Sequence, residues 1–226
     1  MFLAGSSDRW TWSIDVERSV DFCVYALRRD GLRVAPFDQH PDGDGSFRAA
    51  GLDAESWPAW LASVLDAHKR LNALSSADNR SQVDRQQIVE AFHSFSAPAR
   101  LCWGSSELRA RLEALWVEYE PVGRRWEEST SVGKGGRVGR HLADGGARIW
   151  KGMLPYHERL ATLRVYLVDY PAPAVLTLPP LTCVIAPASA DRDGFAGQVI
   201  SAAGTLAAGR SSSWDAGSAA FVAWNA

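Results

Sequence analysis

The stretch DAESWPAWLASVLDAHKRL, residues 53–71, constrains the fold more than any other. Its apolar side chains Trp57, Trp60, Leu61, Val64, Leu65 and Leu71 recur at i, i+3, i+4, i+7 and i+8, a stripe wide enough to bury one whole side of a helix. Asp53 or Ser56 can accept from the free amides at its start, and Pro58 falls in the first turn, where a missing N–H costs little. A helix this apolar on one side needs a partner layer, so the rest of the chain must supply one.

Three more segments have helical spacing. Residues 15–29 place Val16, Val20, Cys23, Val24 and Leu27 together, with Ser13 or Asp15 as cap and Gly31 as stop. Residues 83–95 bring Ile88, Val89 and Phe92 inward. Residues 105–121 align Leu108, Leu112, Leu115, Trp116 and Tyr119, and Pro121 is expected to end or kink that helix. Residues 1–128 therefore read as a mainly helical part.

The pattern changes after that. Residues 129–147 are rich in Gly, Ser and Arg with no period, which predicts a linker or mobile loop. In 148–226 the runs LRVYLVDY (163–170), AVLTL (174–178) and LTCVIA (181–186) are β-branched and apolar, bounded by prolines that suit strand ends. A helix follows, with Phe195, Val199, Ile200, Ala203 and Leu206 on one face, and SAAFVAWNA closes the sequence as an expected final strand, which either pairs inside the sheet or marks a piece of a longer chain. The fold class predicted is α+β: about four helices, then a small β-β-β-α-β part that either packs with the first as one domain or stands apart.

Composition bounds the function. The formal net charge is −2, so no global basic field gathers nucleic acid. No window approaches 18 apolar residues, and the opening MFLAGSSDRW lacks the basic and apolar regions of a signal peptide, so a cytoplasmic protein without a membrane span is expected. Only three of 24 basic residues are Lys, which we read as the mark of a GC-rich bacterial source. Cys23, Cys102 and Cys183 are far apart and flanked by apolar residues, the pattern of free buried thiols and not of a disulfide or zinc framework.

Three groups of residues are candidate sites. The loop APFDQHPDGDGSF sets Asp38, His40, Asp42 and Asp44 close together. It resembles the middle of a calcium-binding EF-hand loop when aligned on Gly45, with Asp42 and Asp44 at the third and fifth positions. His40 then stands at the first position and Gly51 at the twelfth, where the ligands should be Asp and Glu, so the family is not carried over. A structured turn is the expectation, with a divalent cation as the one cofactor these residues could hold. The segment GKGGRVGRH offers Lys134, Arg137 and Arg140 to an anion or to nucleic acid, but it has neither the Ser/Thr of a P-loop nor a preceding strand. Trp10, Trp12 and Trp214 fall on no core stripe and are expected as an exposed protein-interaction surface.

No catalytic residue is assigned. There is no G-x-S-x-G and no H-E-x-x-H; SSSWD (211–215) has no partnering His, and His157 with Glu158 reads as a helix start. His68 and His93 lie on predicted helices as partly buried or surface groups. The leading expectation is a non-catalytic interaction or regulatory subunit of a bacterial complex with a protein partner. The alternatives are a metal-dependent hydrolase using residues 38–44 and a subunit touching nucleic acid through 124–151.

Overall fold

The computed structural model describes residues 2–7, 10–39, 43–76, 105–130, 147–156, 162–178, 182–186 and 192–209. Two strands come first, β1 (Phe2–Ser7) and β2 (Trp10–Val16). The helices α1 (Arg18–Asp30), α2 (Ser46–Ala49), α3 (Ser56–Ser76) and α4 (Ser106–Thr130) follow. A helical segment, α5 (147–153), runs into a 3-10 turn at Leu154–Tyr156. Then come β3 (Thr162–Leu167), β4 (Ala174–Leu178), β5 (Thr182–Ala186) and α6 (Arg192–Ala207). The α+β class is as expected from the sequence.

All five strands form one sheet in the order β1-β2-β3-β5-β4. β2, β3 and β5 run parallel, while β1 and β4 flank them antiparallel. The N-terminal strands therefore belong to the same sheet as the C-terminal ones. Residues 10–16 alternate in the period-2 manner, Trp12 and Ile14 to one side and Ser13 and Asp15 to the other. That signal is short and has polar residues at every second place, so the helical spacing of 16–27 overshadows it.

Alternation along each strand divides the core in two. Trp12, Ile14, Leu163, Val165, Leu167, Cys183 and Ile185 face α5 and α6, against Ile149, Met153, Phe195, Val199 and Leu206. Tyr166, Val184, Ala186, Ala174 and Leu176 face the other way and join α1, α3 and α4. Strands covered on both faces are apolar throughout, which is why β3 and β5 read as continuous runs. Trp12 is fully buried, and this corrects its expected place on an exposed surface: a strand residue on the face covered by two helices has no route to solvent. Trp10 opens β2, paired through its backbone with Ser7, and Trp214 lies outside the described residues.

The helical layer is held by aromatic rings. Phe22 of α1 meets Trp60 of α3 edge-on, with centroids 6.0 Å apart, and Trp116 of α4 edge-on at 5.0 Å. Such geometry sets the positive ring edge against the negative face. Two expectations shift, and two hold. Ser13 and Asp15 lie in β2, so Glu17 stands at the start of α1, while Gly31 ends it in the left-handed region at φ 74°. Asp53 does cap α3, its Oδ1 accepting from the Ser56 amide at 2.8 Å. Pro121 lies inside α4, which continues to Thr130. The amide a proline lacks would have served the carbonyl of Val117, and Val117 is 73% exposed, where water can take that place. Of the loop expected at 129–147, Ser129 and Thr130 belong to α4 and Ala147 to α5; its remainder, the expected helix at 83–95 and the closing strand lie outside the described residues. No described helix is long and apolar enough to cross a membrane.

Candidate functional site

Parallel pairing of β2 with β3 brings their carboxyl ends to one edge of the sheet, where open α/β sheets place their ligands. Asp15 near the end of β2 is in register with Tyr166 of β3. Glu17 follows β2 directly and starts α1. Into this corner α3 extends His68, which is only 4% exposed. Its Nε2 is 2.9 Å from Oε1 of Glu17, and its Nδ1 is 3.4 Å from the Tyr166 hydroxyl. In the tautomer with its proton on Nε2, the ring donates to Glu17 and accepts from the Tyr166 hydroxyl at Nδ1. The two rings also meet edge-on, with centroids 5.4 Å apart.

Burial acts on two acids of this corner. It pushes the Asp15 carboxyl above its ordinary value, since a charge loses its water there. It likewise pushes the Tyr166 phenol up to about 12.

One turn further along α1, Asp21 forms a second cluster. Its Oδ2 accepts from the Tyr119 hydroxyl of α4 at 2.7 Å, and its Oδ1 accepts from the backbone N–H of Asp169, just past β3. Arg28, lower on α1, donates to the carbonyl of Asp169 at 3.2 Å. Burial pushes the Asp21 carboxyl up to about 7, although both hydrogen bonds favour its ionised form. Burial, then the charge of Asp21, pushes the Tyr119 phenol well above its ordinary value. At the rim, Arg18 Nε lies 3.2 Å from Glu127 of α4 and its NH1 3.6 Å from Glu120.

His68, Glu17, Asp15, Tyr166, Asp21 and Tyr119 were not singled out as a site from the sequence. Asp15 and Asp21 did carry a signal: each is an acid set among residues of an apolar run. Nothing in the sequence links them to His68 or Tyr119, which come from helices about 50 and 100 residues away.

The sequence candidates are not brought into this corner. Asp38 is exposed beside Phe37. Asp44 Oδ1 accepts from the Ser46 amide at 3.0 Å, a short-range Asx bond, which together with the Ser46 side chain and the nearby Arg29 and Arg111 charges holds its carboxyl below the ordinary value. Gly43 packs directly on the end of α1, and Asp30 turns its carboxylate to the amides of Phe47 and Arg48 at the start of α2. Both neighbours of the acidic stretch thus serve to dock a turn. His40, Asp42, Lys134, Arg137 and Arg140 lie outside the described residues. Among the described residues no group of three or more His, Cys, Asp or Glu could hold a metal ion. Cys23 and Cys183 are both buried, and burial pushes the Cys183 thiol up to about 12, far from a reactive thiolate. A groove of about 430 Å³ lies between Tyr156 and α6, lined by Gly197, Ile200, Ser201, Gly204 and Thr205, with no charged side chain among them.

No family model, no curated protein and no solved structure matches the chain.

Proposed function

We propose that the protein is a non-catalytic interaction or regulatory subunit of a cytoplasmic bacterial complex. One observation carries this reading: the described groups best suited to proton transfer are engaged within the fold. His68 uses both ring nitrogens on Glu17 and Tyr166. Asp21 uses both carboxyl oxygens on Tyr119 and Asp169, and Asp30 spends its carboxylate on α2. A general base must reach the proton it removes, and these side chains reach one another. The test is purification of the tagged protein from its own host at native expression, with mass and metal content measured on the eluted species. A partner at fixed stoichiometry supports the reading. A lone chain carrying a divalent metal favours a metal-dependent hydrolase instead.

A second reading, contact with nucleic acid through 124–151, draws on the exposure of Arg125, Arg148 and Lys151. Its test is binding of duplex DNA across a salt series with Arg137 and Arg140 reversed to Glu. Binding that weakens with salt and falls on charge reversal supports it, because phosphate contacts release counterions.

A further inference from the structure

α1 is the central helix of its layer, packed on both α3 and α4, with α2 at its far end. Asp21 sits in its first turns at 2% exposure and touches two other parts of the molecule at once. Tyr119 of α4 donates to one oxygen; the Asp169 amide, in the turn between β3 and β4, donates to the other. No ion pair reaches Asp21 among the described residues. The Arg28 guanidinium, a cation that acts on it, is turned to the Asp169 carbonyl.

We propose that Asp21 is a pH-sensitive latch, which clamps α1 to α4 and to the β3–β4 turn when protonated and loosens that junction when ionised. The chemistry follows from the two states of the carboxyl. As an acid, Asp21 can donate its proton to the Tyr119 oxygen while its carbonyl oxygen accepts the Asp169 amide, and no charge is buried. As a carboxylate it keeps two accepted hydrogen bonds but places a full charge in an apolar layer, and burying a charge without a cation is far costlier than burying a neutral hydrogen-bonded acid.

The surrounding groups do not cancel that charge. Asp169 adds a like charge from the turn, and Arg28 offsets it from along α1. From α4 comes the neutral Tyr119, whose neighbour Glu120 is paired with Arg124. Arg18 is spent on Glu120 and Glu127. From α3 comes His68, held by Glu17, and from α2 comes Arg48, beside Asp30.

The direction of the effect is fixed. The folded protein holds the Asp21 proton up to about pH 7, whereas the unfolded chain releases it near 3.8. The stabilisation is full below the unfolded value and is lost as pH rises through the folded one. Between pH 5 and pH 8 the unfolding equilibrium constant should rise on the order of a hundredfold from this group alone. The test is urea unfolding of wild type and Asp21→Asn across that range, with a carbon-13 carboxyl titration of the folded wild type. Asn is neutral at every pH and can fill both hydrogen bonds. We expect the wild type to lose stability towards pH 8, the variant to lack that loss, and the Asp21 carboxyl to titrate near neutrality. Parallel curves for the two proteins overturn the latch. If the variant does not fold, the carboxyl titration decides: a midpoint near 4 or below overturns it.

Discussion

The indole N–H of Trp57 donates to the backbone carbonyl of Cys23 at 2.7 Å, joining α3 to α1 across the interior. Both residues are fully buried. The Trp57 ring also meets Phe37 edge-on, with centroids 6.2 Å apart, so one side chain links two helices to the loop after α1. Trp57→Phe keeps an aromatic ring but removes the donor and part of the volume. It should lower stability by about 2–4 kcal/mol, from the lost hydrogen bond and the cavity together, read as a shift in the urea midpoint with an unchanged slope.

Gly43 is required by its neighbours and not by its own conformation. A Cβ there would lie 2.3 Å from the Arg29 carbonyl oxygen and equally close to the backbone of Asp30 and Gly31. Backbone at a helix end cannot step aside as a flexible side chain can. Gly43→Ala should therefore destabilise the protein by about 1–3 kcal/mol, the range for overpacking. Asp44→Ala, which removes only an exposed Asx bond, should change the melting temperature far less. Comparing the two by thermal unfolding separates a docked turn from an acidic site.

Gly123 tests the same principle inside a helix. Ala is the better helix former by about 1 kcal/mol, so a Gly→Ala change at an open helical site stabilises. At Gly123 a Cβ would fall 2.4 Å from the Tyr119 ring and 2.5 Å from its hydroxyl. Moving Tyr119 breaks its bond to Asp21, so strain and a disturbed buried acid should outweigh the propensity gain. Gly123→Ala should unfold at lower urea than wild type, and tyrosine fluorescence or ring NMR shifts should report a displaced Tyr119.

Where local chemistry sets the structure, the sequence was readable. The stripe from Trp57 to Leu65, the Asp53 cap, the Gly31 stop and the strands β3 to β5 all follow from spacing and turn residues within a dozen positions. β2 was not, because SIDV leads straight into α1 and its Ser13 and Asp15 read as caps. The Trp12 surface failed for the same reason: without the strand, nothing assigned that side chain a covered face. The turn around Asp44 was legible as a turn, since Asp and Gly dictate it locally. The corner of Asp15, Glu17, His68 and Tyr166 was not, because parallel pairing and helix packing assemble it across about 150 residues, and no periodicity encodes that distance.

On the proposed reading, the acid–base groups at the carboxyl ends of β2 and β3 hold the layers together rather than act on a substrate. The stability of His68→Ala tests it most directly. Both hydrogen bonds of the ring and its packing on Tyr166 would be lost from a site that is 4% exposed. If the corner is structural, the variant should lose about 2–4 kcal/mol of unfolding free energy in urea. Groups kept for reactivity tend to strain the fold, and replacing them leaves stability unchanged or raises it. A His68→Ala protein as stable as wild type, or more so, would contradict the account.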